Sequence, residues 1–143
     1  MATTKQKGDS AELRVAHDLV RQGHGVAFPF GEDSDFDLIL CRDDGRLERV
    51  QVKYTESDGV VIPVRCQSNS LTKGKVKAIK RYTARTVDWI AVLDATSDRC
   101  YYVPASMLGS GRCMISLPLK PARNGQLEGT HRADQFLVPA RDG

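Results

Sequence analysis

Apolar residues Ala11, Val15, Ala16, Leu19 and Val20 recur at helical spacing through DSAELRVAHDLVRQ, which predicts an amphipathic helix over 9–22 ended by Gly23. Beyond it the period shortens. GVAFPF (25–30) reads as a strand, with Pro29 marking an edge or an end. FDLILC (36–41) and LERVQVKY (47–54) are two further strands, and RDDGR between them is a hairpin signal. A two-residue turn at Asp44-Gly45 would set Asp37 opposite Val52 and Leu38 opposite Gln51, mixing the faces. A three-residue loop, Asp43-Asp44-Gly45 with Gly45 left-handed, sets Phe36 against Val52, Asp37 against Gln51 and Leu38 against Val50. The apolar pattern selects the second register, and strand alternation then puts Asp37, Gln51 and Lys53 on one face.

Further along, VVIPV (60–64) predicts a strand. The basic stretch after it contains Val76 and Ile79 but no sustained period, so a loop or short helix is expected there. VDWIAVLD (87–94) and RCYYVP (99–104) flank ATSD as a second hairpin. A helical turn at 105–108 precedes the strand CMISL, and ADQFL (133–137) predicts one more turn packed on the body. With no repeat, linker or second core, residues 1–143 read as one domain, with its core over about 8–117 and a Pro-, Gly- and Arg-rich extension over 118–143. That length buries a core without disulfides, and Cys41, Cys66, Cys100 and Cys113 form no C-x-x-C pair. No apolar run approaches the ~20 residues of a bilayer span, and the first ten residues lack a signal-peptide core. An intracellular, cytoplasmic chain with no membrane partner is the expectation.

Charge sharpens this picture. The chain is +3 overall, yet residues 60–87 hold Arg65, Lys73, Lys75, Lys77, Lys80, Arg81 and Arg85 without one acid. That segment is +7 and leaves −4 for the rest, an electrostatic footprint for a polyanion, nucleic acid before membrane. The opposite bias is concentrated in GEDSDFDLIL, where Glu32, Asp33, Asp35 and Asp37 precede an apolar strand. A solvated turn explains such acids most simply. A calcium loop is disfavoured because Leu38 stands where its sharp turn needs glycine. The third reading makes one acid part of a catalytic metal site.

Residues elsewhere complete that third reading. Taken alone, Glu12 reads as the partner of an Asp9 N-cap in a capping box. Taken with the hairpin, a helix bearing Glu12, then Asp37, then Gln51 and Lys53 two residues apart, is the layout of a divalent-metal phosphodiesterase. Magnesium takes oxygen ligands and keeps several waters, so Asp37, the Gln51 side-chain carbonyl, the Val52 backbone carbonyl and Glu12 form a sufficient set. Lys53 stands where an ammonium orients water and offsets charge on a scissile phosphate.

At these residues the sequence resembles the PD-(D/E)xK nuclease superfamily, and within it the subgroup that includes group I intron homing endonucleases. The likeness runs through Lys7-Gly8-Asp9-Ser10-Ala11-Glu12, Pro29-Phe30-Gly31, Phe36-Asp37-Leu38 and Arg49 to Tyr54, and continues near Tyr82, Asp88 and Tyr102. Two positions depart from the general motif: Phe36 replaces its proline, and Gln51 its second acid, a change the subgroup shares. The resemblance implies an α/β, restriction-endonuclease-like core with a mixed β-sheet flanked by helices. It also implies a Mg2+-dependent endonuclease acting on double-stranded DNA, with Mn2+ able to substitute. A site-specific homing enzyme leads. A Holliday-junction-resolving or restriction-type nuclease, and a non-catalytic DNA-binding module of the same fold, are the alternatives. The basic segment is expected to hold phosphates, with Arg65, Gln67, Ser68 and Asn69 near base edges. Cutting both strands takes two sites, which implies a homodimer or higher homo-oligomer.

Overall fold

The computed structural model describes residues 2–31, 34–72, 75–120 and 132–140, and for 69–72 and 75–78 the backbone alone. Helix α1 (Thr4–Arg21) begins five residues before the position expected from the apolar spacing. Its N-cap is Thr3, whose hydroxyl accepts from the Gln6 amide while Gln6 returns a bond to the Thr3 amide. The capping box is therefore Thr3/Gln6, and the Asp9/Glu12 box is overturned: both lie inside the helix. Gly23, at φ +94°, ends it as expected.

A five-stranded sheet follows in the order β1-β2-β3-β7-β8, made of β1 (Gly25–Ala27), β2 (Leu38–Cys41), β3 (Leu47–Thr55), β7 (Trp89–Asp94) and β8 (Arg99–Pro104). Only β3 and β7 run parallel, so the sheet is mixed. The connection between them carries β4 (Val61–Arg65), β5 (Gln67–Thr72) and β6 (Lys75–Arg81). β4 pairs with β9 (Met114–Pro118), and β5 with β6. One sheet face, with Leu38, Leu40, Val50, Val52, Ala91 and Tyr102, packs on Ala11, Val15 and Leu19 of α1. The other, with Ile90, Val92, Tyr101 and Val103, packs on Ile62, Val64, Ile115 and Leu117 of the β4–β9 pair. Strand β7 is buried at every position because both faces are covered. Among the described residues, then, α1 is the flanking α-helix, and strands with two 3-10 turns, Ala105–Met107 and Ala133–Phe136, do the work expected of helices on the far side. None of the described helices is long and apolar enough to cross a membrane.

The β2–β3 hairpin has the expected register. Leu38 opposes Val50, Cys41 opposes Leu47, and Gly45 sits at φ +92° in the three-residue loop. The expected Phe36–Val52 pair does not form. The ladder stops at Leu38, and Phe36 packs against the far-side cluster. Asp37 is the cause: its amide bonds the Val50 carbonyl (2.8 Å), and its Oδ2 accepts from the Val52 amide (2.8 Å). A side chain has replaced the next backbone acceptor, freeing Phe36 to turn to the other face. The basic segment is also corrected, since β6 is a strand rather than a loop or short helix. A register shift between Ser70 and Leu71 leaves Lys77 without an opposite residue, and that bulge breaks the alternation that marks a strand in sequence.

Asp94 ties the β7–β8 turn to the chain after β3. Fully buried, it accepts from the Ser57 amide (2.9 Å) and hydroxyl (2.8 Å), the Ser97 hydroxyl (2.8 Å) and the Thr96 amide (3.2 Å). Burial alone would raise its pKa, but these donors outweigh it and hold the carboxyl below its ordinary value. Asp94→Ala should cost about 2–3 kcal/mol in urea unfolding at pH 7 by stranding buried donors. A depressed folded pKa means the contribution is complete above the unfolded value of about 3.9 and is lost as pH falls through the lower folded one. The variant should accordingly converge on the native chain only in acid.

Candidate active site

Asp37 stands where β2 runs out, anchored by its own amide and by the Val52 amide. Gln51 and Lys53 alternate with the buried Val50 and Val52, so they leave β3 on the face away from α1. Within a strand a residue's amide and carbonyl leave on the same side. The bond from Val52 to Asp37 therefore turns the Val52 carbonyl toward Asp37 as well. Glu12 reaches Asp37 from α1, close enough to hydrogen-bond to it. Glu12, Asp37 and Gln51 line adjoining clefts, the Val52 amide bonds Asp37, and Lys53 lies within electrostatic reach of Asp37 while lining a neighbouring cleft.

Two clefts meet at Asp37. One, of about 340 Å3, is lined by Glu12, Phe28, Pro29, Ser34, Phe36 and Asp37. The other, of about 270 Å3, is lined by Asp35, Asp37, Gln51, Ser68, Lys80 and Tyr82. A larger cleft of about 450 Å3 lies at the start of β3 and β7, among Arg46, Glu48, Asp88 and Trp89, and contains none of the expected site residues.

The electrostatics divide between the two sides of Asp37. Glu12 is pushed up to about 7, first by burial, then by the negative charge of Asp37 and a hydrogen bond with it, with Asp9 adding to the effect. Lys53 is pulled below the usual lysine range by burial; Asp37 opposes that shift and Arg65 adds to it. Its ammonium donates to the Gln67 carbonyl (3.3 Å) and lies 5.1 Å from the centre of the Tyr82 ring.

This donor set fits a hard cation. Among the described residues no group of three or more His, Cys, Asp or Glu surrounds a metal-sized space. Two carboxylates with a neutral amide and a backbone carbonyl are nonetheless the oxygen-only set that suits magnesium, which keeps waters for its remaining positions.

The basic residues are distributed unevenly. Arg65 ends β4 and lines a third cleft with Lys53, Tyr54 and Pro63. Lys80 and Arg81 end β6, and Lys80 pairs with Asp35 beside the Asp37 cleft. Arg85 sits apart in the turn before β7, where its carbonyl accepts from Arg49 (2.8 Å). Lys73 lies outside the described residues, as do Glu32 and Asp33, and the side chains of Lys75, Lys77 and Asn69 are likewise not described. Tyr82, Ser68 and Asp35 were not among the residues expected at the site, although Ser68 was expected near base edges. Their convergence depends on the β5–β6 pairing, for which the sequence offered no clean period.

The family described as PD-(D/E)XK endonuclease matches residues 2–139. The chain belongs to that family and is thereby a nuclease. Among solved structures it is similar to a bacterial homing endonuclease, I-Ssp6803I, with a TM-score of 0.68, 23% identity, and coverage of 94% of this chain and 88% of that one. A second similar structure is Hjc, a Holliday junction resolvase from Archaeoglobus fulgidus, with a TM-score of 0.46, 11% identity, and coverage of 78% and 84%. No curated protein sequence matches. The family and the first of these structures establish the restriction-endonuclease-like fold.

Glu12 offers a check that needs no activity. Its raised folded pKa means that ionising it opposes folding, so stability falls as pH climbs from the ordinary 4.5 toward 7. In chelator-treated protein, Glu12→Gln should be more stable than the native chain at pH 8 by roughly 1 kcal/mol, allowing for solvent screening. The gap should shrink toward pH 5. A gap independent of pH would separate Glu12 from Asp37.

Proposed function

We propose that the chain is a magnesium-dependent endonuclease that hydrolyses phosphodiester bonds in double-stranded DNA, of the site-specific homing kind. The observation that carries this reading is the meeting of Glu12 and Asp37 beside Gln51 and Lys53 on one end of the β2–β3 hairpin. Glu12, Asp37, Gln51 and the Val52 carbonyl would hold the ion, with manganese able to replace magnesium. Bound there, a divalent cation supplies Lewis-acid stabilisation of charge on the phosphorane and lowers the pKa of a water.

The chain's own groups do the rest. Asp37 is fixed by backbone bonds through its amide and its Oδ2, so its second carboxylate oxygen is aimed before substrate arrives. Lys53 places a positive charge on the same face, where it offsets charge gathering on the phosphate and orients the attacking water. Gln51 contributes a neutral oxygen, which lowers the negative charge of the site that a polyanionic substrate must approach.

Substrate binding falls to the β5–β6 ribbon, which among the described residues pairs with no other sheet. Two antiparallel strands of about seven residues span roughly 20 Å, and a B-DNA major groove admits such a ribbon. Lys80 and Arg81 at its root, with Arg65 on β4, stand beside the candidate site, where they would hold phosphates; Lys73, Lys75, Lys77 and Arg85 extend the same basic segment in sequence. A break in both strands needs two such sites, so the active form is a homodimer or higher homo-oligomer.

Nicking and linearisation of supercoiled plasmid in magnesium provide the test. Native protein should cut, and Asp37→Ala and Lys53→Ala should each lose about a hundredfold or more in rate. DNA binding without cleavage in either magnesium or manganese would make the chain a binding module instead, and tighter binding to four-way junctions than to linear duplex would replace the homing reading with junction resolution.

A further inference from the structure

Lys53 is held by the root of the ribbon. Its ammonium donates to the Gln67 carbonyl on β5 and rests over the ring of Tyr82, the residue that follows β6. Tyr82 is 4% exposed and belongs to the core cluster that includes Ile62, Val64 and Ile115. It also lines the cleft containing Asp37 and Gln51. Its amide bonds the Cys66 carbonyl (3.0 Å), and its hydroxyl lies within hydrogen-bond reach of the Ser68 side chain. Three independent contacts therefore fix the ring: core, backbone and ribbon.

We propose that Tyr82 is the positioning residue for Lys53, presenting an aromatic face that holds the ammonium aimed along the Asp37 face. An aromatic face carries negative potential and attracts a cation without competing as a hydrogen-bond acceptor. An aliphatic residue of similar bulk would fill the space and leave the ammonium to its one backbone acceptor. Gln67 opposes Arg81 in the ribbon, so the residues that hold Lys53 are neighbours of those placed to meet phosphate. This inference rests on the catalytic reading of Lys53 given above.

Two measurements on the full chain separate positioning from packing. The first is the NMR signal of the lysine ε-methylene that disappears in Lys53→Ala. It should lie upfield of the other lysines through the ring current of Tyr82, persist in Tyr82→Phe and Tyr82→Trp, and move to the ordinary position in Tyr82→Leu. The second is plasmid nicking under single turnover in magnesium. Tyr82→Phe should stay within about threefold of native, while Tyr82→Leu should fall about tenfold to a hundredfold. Plasmid affinity in calcium should be unchanged, and adding Tyr82→Leu to Lys53→Ala should lower the residual rate no further. If Tyr82→Leu folds poorly, Tyr82→Met fills the same space without a ring. Equal losses in the Phe and Leu variants, additive losses with Lys53→Ala, or an unshifted Lys53 signal in native protein would overturn the proposal. A shifted signal in a native chain that cuts nothing would instead overturn the nuclease reading, and with it any catalytic meaning of Tyr82.

Discussion

The bond from the Val52 amide to the Asp37 carboxylate is the contact on which the candidate site depends. It ends one strand by letting a side chain stand in for a backbone carbonyl. Three consequences follow from that substitution. Asp37 is held rigidly at the sheet edge, the Val52 carbonyl turns toward it, and Phe36 crosses to the opposite core. A charge-assisted bond to backbone is stronger than a neutral one, so the strand end is stabilised by the same group that lends the site its negative charge.

Around this anchor the fold separates opposite electrostatic demands. α1 brings Glu12 against Asp37 on one side, creating a carboxylate pair that resists full ionisation. On the other, Lys53 is partly withdrawn from water and its charge lodged against a carbonyl and a ring. Both perturbations begin with burial, which the two packed layers impose: α1 on one sheet face, the β4–β9 pair on the other.

What the sequence made legible was whatever obeys a short period. The common face of Asp37, Gln51 and Lys53 could be read because strands alternate and because Gly45 accommodates the left-handed loop position. The true start of α1 could not: Thr4 to Gly8 has no apolar stripe, and Asp9 with Glu12 imitates a capping box that Thr3 and Gln6 form instead. β6 was hidden by a bulge opposite Ser70 and Leu71, where Lys77 stands unpaired between Val76 and Ala78 and the strict period of two is lost. Tyr82 was hidden for a different reason, since its place over Lys53 is a tertiary contact between residues 29 positions apart, and no local pattern encodes it. The resemblance to the nuclease superfamily bridged the first gaps by motif, but it said nothing about which residue holds the lysine.

Metal binding by the chelator-treated chain tests most directly whether Glu12 and Asp37 form one divalent-cation site. Calorimetric titration of manganese at pH 7, in two buffers of different ionisation enthalpy, should show binding that releases protons, because Glu12 with a pKa of about 7 is partly protonated before the ion arrives. Asp37→Ala should abolish it. Heat that is the same in both buffers and survives Asp37→Ala, or no binding at all, would contradict the site as described.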